Sequence, residues 1–164
     1  MVSSFRIVLA VALALAGGAC ARSHTDPKVI AQGQAFLARN AHAPGVQVTA
    51  SGLQYKILTS GPASGRTPSG EDQVKVNYEG KLLDGTVFDS TYQRGEPAVF
   101  GVNGLIPAWT EALQLMRPGD LWELYAPADL AYGGEGAGPI PPGSVLEFKI
   151  ELLAINPPEA LGGQ

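Results

Sequence analysis

The chain has 164 residues, 45% of them hydrophobic, with 11 basic and 15 acidic side chains and a formal net charge of −4. That length and apolar content suit one packed core, and a mildly acidic chain without clustered Lys and Arg is a poor partner for nucleic acid, whose phosphates demand concentrated positive charge. Glycine (21) and proline (13) are frequent but follow no fixed period, which excludes a collagen-like repeat and favours a loop-rich β fold.

At the N-terminus Arg6 precedes an apolar run, residues 7–16, and no further charge interrupts before Arg22. One positive charge, a short apolar stretch and small residues after it read as a signal peptide over residues 1–20. The run is too short for a spanning helix, which needs about 20 apolar residues. The sole cysteine, Cys20, admits two readings. Ala19-Cys20-Ala21 fits an ordinary A-x-A cleavage site, whereas Ala16-Gly17-Gly18-Ala19-Cys20 resembles a lipobox whose thiol takes a lipid. In either case one cysteine cannot pair within the chain, so stability must come from the core. A membrane is then engaged only through a lipid on Cys20.

Residues 21–50 read as a linker and a short N-terminal helix. Asp26 is placed to cap the helix and Pro27 to open it, with Val29, Ile30, Phe36 and Leu37 at helical spacing and an end near Asn40, before Pro44-Gly45. His24 and His42 lie far apart without neighbouring ligand residues, so neither a metal nor another cofactor is expected. Residues 46–60 are extended, with a turn at Ser51-Gly52, and residues 60–70 form a Gly/Pro/Ser loop.

From Val74 the pattern is β. Val74, Val76 and Tyr78 alternate with Lys75, Asn77 and Glu79, Asp84-Gly85 marks a hairpin, and Val87-Phe88 and Ala98–Phe100 resume extended structure. Residues 107–116 read as the one helix of this half, opened by Pro107 and stopped by Arg117-Pro118-Gly119, with Trp109, Leu113 and Met116 on one stripe. Strands over residues 121–126 and 145–155 follow, separated by a Gly/Pro-rich loop at 133–143. The tail, 156–164, frays.

The motifs of nucleophilic or metal-assisted hydrolysis are absent from the sequence, and Gly133-Gly134-Glu135-Gly136 lacks the Lys-Ser/Thr and helix start of a phosphate loop. What remains are aromatic and apolar residues near turns, which periodicity alone would assign to the core.

Several segments carry a resemblance: Val76-Asn-Tyr-Glu-Gly80, Asp84-Gly-Thr-Val-Phe-Asp-Ser90, Leu105-Ile-Pro-Ala-Trp109, Leu130-Ala-Tyr-Gly-Gly134, Ile140-Pro-Pro142 and Leu146-Glu-Phe-Lys-Ile-Glu-Leu-Leu153. In order and spacing they resemble the FKBP-type peptidyl-prolyl cis/trans isomerases. Phe36-Leu-Ala-Arg-Asn40 and Ser51-Gly-Leu-Gln-Tyr-Lys-Ile57 are similar to the exported bacterial Mip-like subgroup, whose long dimerising helical region is shortened here.

The resemblance implies an α+β fold over residues 51–155, in which a curved antiparallel sheet wraps one short α-helix, preceded by the short N-terminal helix. It implies a prolyl pocket lined by Tyr78, Phe88, Asp89, Ile106, Trp109, Tyr132 and Phe148, with Trp109 as its floor and Leu105 and Ile140 flanking it. Arg94 would steady Asp89. The Ile106 N–H and the Tyr132 hydroxyl would bind substrate carbonyls. Proline-containing polypeptides in a bacterial periplasm or at an outer membrane, and macrolide inhibitors, are the implied partners. The short first helix, in place of the long dimerising one, favours a monomer. Ala98 stands where many members carry an aromatic wall, so the pocket is expected to be more open ahead of proline.

Overall fold

The computed structural model describes residues 25–158. The leader, Cys20, the first part of the linker and the end of the tail lie outside the described residues.

The first element is α1 (Pro27–Asn40), opened as expected: the Asp26 side chain accepts the Lys28 N–H at 2.8 Å and Pro27 supplies the first helical residue, where a missing N–H costs nothing. Seven strands follow: β1 (Val46–Val48), β2 (Gln54–Thr59), β3 (Gln73–Leu82), β4 (Val87–Ser90), β5 (Ala98–Gly101), β6 (Leu121–Ala126) and β7 (Leu146–Ile155). Among the described residues they form one antiparallel sheet in the order β1-β2-β6-β7-β3-β4, with β5 also on β3. β1, from the segment ahead of residue 51, is thus part of the same sheet as everything after it.

β4 and β5 share a single edge of β3. β4 pairs with Glu79–Lys81 and β5 with Gln73–Val76, leaving Asn77 and Tyr78 between them. The gap is spanned by a one-turn helix that the hydrophobic pattern did not predict, α2 (Thr91–Arg94), capped by the Ser90 side chain and stopped by Gly95 at φ 76°. A single turn has no room for helical periodicity, so only its capping residues could announce it.

The helix expected over residues 107–116 is α3 (Pro107–Leu113). It stops at Leu113, and Met116 is delivered to the core by the following turn instead. Pro118 disfavours helical backbone at Arg117, and Gly119 turns the chain at φ 95°.

Strand parity decides which side chains meet α3. Val74, Val76, Tyr78 and Gly80 of β3, Trp122, Leu124 and Ala126 of β6, and Leu146, Phe148, Ile150 and Leu152 of β7 face inward and are buried. Their neighbours alternate outward with charge, and in register Glu79 lies opposite Lys149 and Lys81 opposite Glu147. Inside, α3 contributes Ala108, Trp109, Ala112 and Leu113. The opposite face carries α1: Phe36 lies 5.6 Å from the Tyr125 ring, and the Gln54 amide donates to the Leu37 carbonyl at 2.9 Å. Gly33 makes this fit, since a Cβ there would stand 2.7 Å from the Val145 side chain.

Asp72 ties the loop before β3 to the end of β7. Its carboxylate accepts from Arg66 Nη1 at 2.7 Å and Nη2 at 3.2 Å, from the Ser69 N–H at 2.7 Å and from Asn156 Nδ2 at 2.7 Å. The hydrogen bond from Arg66, then those from Ser69 and Asn156, hold this carboxyl well below the usual carboxylate range.

Candidate functional site

The aromatic residues singled out above converge on the inward face of the sheet around Trp109. Its indole meets the rings of Tyr78 at 4.9 Å, Phe148 at 5.5 Å and Phe100 at 6.1 Å, each near-perpendicular at 84–87°. Phe88 closes on Phe148 at 5.8 Å in the same manner. Edge-to-face pairs of this kind contribute about 0.5–1.5 kcal/mol each beyond their buried area, so the cluster is rigid as well as apolar. Trp109 and Phe148 are wholly buried and Tyr78 almost so, whereas Phe88, Phe100 and Tyr132 are half-buried. The first three therefore form a bottom layer and the others a rim.

Two of these contacts depend on positions that sequence reasoning passed over. Phe100 was read only as strand; it shares parity with Ala98 on β5, and that parity was the available signal. Gly80 lies under the rings of Phe88 and Phe148: an added Cβ would stand 2.6 Å from the first and 3.0 Å from the second. The ring pair exists in this geometry because residue 80 has no side chain.

Polar groups enter this cluster from one side. The Tyr78 hydroxyl donates to Asp89, Arg94 donates to the other Asp89 oxygen, and Arg94 Nη2 also reaches the Tyr78 hydroxyl at 3.2 Å. The guanidinium carbon lies 5.6 Å from the Tyr78 ring centroid. β4 supplies Asp89 and α2 places Arg94 five residues later, so the hairpin and the one-turn helix together assemble the pair. Asp89 is 8% exposed, whereas the Arg94 side chain keeps 34% of its surface in water. Burial first, and the hydrogen bond to Asp89 second, push the Tyr78 phenol far above its ordinary range, with Arg94 acting in the opposite sense.

Tyr132 comes from the 133–143 loop's leading edge. Burial, reinforced by the Asp89 charge, pushes it up to about 12. Its hydroxyl and the Trp109 Nε1 are buried without a hydrogen-bond partner among the described residues. Trp122 Nε1 is buried and unpaired among the described residues too; each such atom costs about 1–3 kcal/mol, a cost that a bonding partner would recover.

Leu105, Ile106 and Ile140 belong to the same buried cluster. Ile106 precedes α3 and its carbonyl accepts the Trp109 and Thr110 N–H groups, while its own N–H meets no acceptor among the described residues. Among the described residues no three His, Cys, Asp or Glu side chains converge as metal ligands.

A family model for FKBP-type peptidyl-prolyl cis-trans isomerases matches residues 64–153, more than half the chain, and a model for the domain amino-terminal to such isomerases matches residues 19–57. The chain belongs to the FKBP-type peptidyl-prolyl cis-trans isomerase family. It is 54% identical over 126 residues to the FKBP-type 22 kDa peptidyl-prolyl cis-trans isomerase of Escherichia coli, covering 76% of this chain and 60% of that protein. To the outer membrane protein MIP of Legionella longbeachae it is 53% identical over 127 residues, covering 77% of this chain and 54% of the relative. The crystal structure of a Pseudomonas syringae peptidyl-prolyl cis-trans isomerase superposes with a TM-score of 0.74 at 38% identity, covering 82% of this chain and all of that one. The chain spans about half the length of the curated relatives it matches. The FKBP fold expected from the sequence, a curved antiparallel sheet around α3 with a short helix ahead of it, is the fold observed.

Proposed function

We propose that this FKBP-family chain accelerates cis/trans rotation of X-Pro bonds by seating the proline ring over Trp109, between Tyr78, Phe88, Phe100 and Phe148. Amide rotation breaks no covalent bond, so the reaction needs neither a nucleophile nor a metal. Its barrier of about 18–20 kcal/mol comes from C–N resonance, which places charge on the carbonyl oxygen. Water stabilises that charge; an apolar cup withdraws the water and favours the twisted, less polar amide. Lowering the barrier by about 7 kcal/mol gives roughly five orders of magnitude in rate.

The observation that carries this reading is the buried Tyr132 hydroxyl, unpaired among the described residues, beside a ring cluster where Asp89 has both carboxylate oxygens engaged. With Tyr78 and Arg94 as its partners, Asp89 orients the site and does not act as a proton donor. Tyr132 Oη and the Ile106 N–H remain to bind the carbonyls on either side of the proline, and Leu105 and Ile140 border the rim. The test is a protease-coupled assay on a cis-proline peptide. Turnover above the uncatalysed rate is expected; a folded chain that binds the peptide without turnover would instead be a binding module.

The site of action proposed is the bacterial cell envelope, reached by export through residues 1–20. The charged-then-apolar leader supports export, and a relative named as an outer membrane protein is consistent with it. Intact mass of the mature chain decides whether Cys20 carries a lipid. A monomer is proposed because the 14-residue α1 is docked on its own sheet; light scattering tests it.

A further inference from the structure

Where β4 and β5 leave the edge of β3 unpaired, at Asn77 and Tyr78, the two main-chain groups of Tyr78 are held by one side chain. Thr91 Oγ1 accepts the Tyr78 N–H at 2.7 Å and donates to the Tyr78 carbonyl at 3.1 Å, with Asn77 Oδ1 at 3.4 Å as a second acceptor. A hydroxyl has one proton and two lone pairs, so it serves both groups at once, as a strand partner would. Thr91 is 1% exposed, so water cannot take its place.

We infer that Thr91 is the positioning residue of the Asp89 site, setting Tyr78 where its hydroxyl can hold the carboxylate. The link is short and continuous. Thr91 opens α2 and Arg94 closes it, so one residue pins both the strand that carries Tyr78 and the turn that carries Arg94. Both side chains end on Asp89. The side-chain bonds of Thr91 all run to Asn77 and Tyr78, so its effect is on the polar side of the site. The catalytic consequence rests on the isomerase reading above, whereas the structural consequence does not.

Thr91→Val keeps the shape and removes both bonds, and Thr91→Ser restores the hydroxyl. For Thr91→Val we expect kcat to fall about tenfold with KM within about twofold, well inside what an ångström-scale misplacement costs. The Arg94 Nε–H resonance should shift and broaden. Thr91→Ser should recover both. A control, Asn156→Ala, loses two hydrogen bonds remote from the rings, to Gln73 and Asp72, and should lose stability with kcat unchanged. The inference is overturned by a folded Thr91→Val with an unmoved Arg94 resonance, by Thr91→Ser as impaired as Thr91→Val, or by Asn156→Ala lowering kcat as much. Should Thr91→Val fail to fold, amide exchange of Tyr78 in the unaltered protein decides: protection like that of neighbouring paired β3 residues supports the inference, and loop-like exchange overturns it. If the unaltered protein has no turnover, the isomerase reading fails, and the Arg94 resonance alone still judges the role of Thr91.

Discussion

Two aspartates in this molecule are bonded to an arginine a few residues away, and they do different work. Asp72 meets Arg66, Ser69 and Asn156; Asp89 meets Arg94 and Tyr78. Both are largely buried, at 9% and 8% exposed. Asp72 is surrounded by donors from two chain segments, Arg66 and Ser69 before β3 and Asn156 after β7, so its bonds are spent closing the loop before β3 onto the end of β7. Asp89 is held by Tyr78, a member of the aromatic cluster, and by Arg94, which lies over the Tyr78 ring, near a Tyr132 hydroxyl unpaired among the described residues. An ion pair whose remaining bonds join two distant chain segments is a latch. One built into a ring cluster, with bonding capacity left beside it, is what the proposed function requires of a site.

Breaking each pair in turn is the largest test of that contrast. Asp89→Ala should lower kcat/KM by at least about tenfold and cost about 2–3 kcal/mol by chemical denaturation, toward the low end for a buried pair because Arg94 keeps part of its charge in water. Asp72→Ala should lower the melting temperature while kcat/KM per folded molecule stays within about twofold. Equal losses of kcat/KM in the two variants would remove the distinction.

Gly80→Ala comes next. The new methyl must displace the Phe88 ring or the Phe148 ring, an overpacking cost of about 1–3 kcal/mol. It should raise KM for a proline peptide more than it lowers kcat, since it alters the cup and leaves Asp89 in place. Unchanged steady-state parameters would show that the Phe88–Phe148 contact does not shape the substrate site.

The acid limb of stability sharpens the comparison further. The Asp72 pKa is depressed in the fold, so its contribution is present above the unfolded value near 4 and is lost as pH falls below it. Asp72→Asn should therefore flatten the loss of melting temperature between about pH 5 and 2. An unaltered slope would count against the latch.

The smallest effect is spectroscopic. Tyr132 is raised to about 12 whereas an open tyrosine ionises near pH 10, so the stability linked to it is whole below about pH 10 and is lost progressively as pH rises from there through the folded value. Tyr132→Phe should remove one late-ionising phenol from the alkaline absorbance change; a change of unaltered size would count against the buried setting of Tyr132.

Much of the fold was legible because it is local or periodic. The cap and proline of α1, the alternation of β3 and β7, the Asp84-Gly85 hairpin and the helix opened by Pro107 all follow from neighbours in sequence, and each lies within a few residues of its expected place. α2 was not legible, having one turn and no period. Phe100 and Gly80 were not singled out because their roles are contacts between strands: the same Phe on another register would be ordinary core. For the site, periodicity alone favours core for these aromatic residues, and it is the resemblance that names Tyr78, Phe88, Asp89, Arg94, Trp109, Tyr132 and Phe148.

By itself the sequence determined which faces of which segments must be buried, where the chain turns, and that aromatic residues would gather near turns, because those follow from side-chain period and backbone preference over a few residues. Only the tertiary structure decided that Tyr78, Asp89 and Arg94 meet, and that Asp72 does not join them. The reason is the shared edge of β3. Two strands and a one-turn helix occupy it in succession, and the spacing of their hydrogen bonds sets which side chains stand within reach of one another.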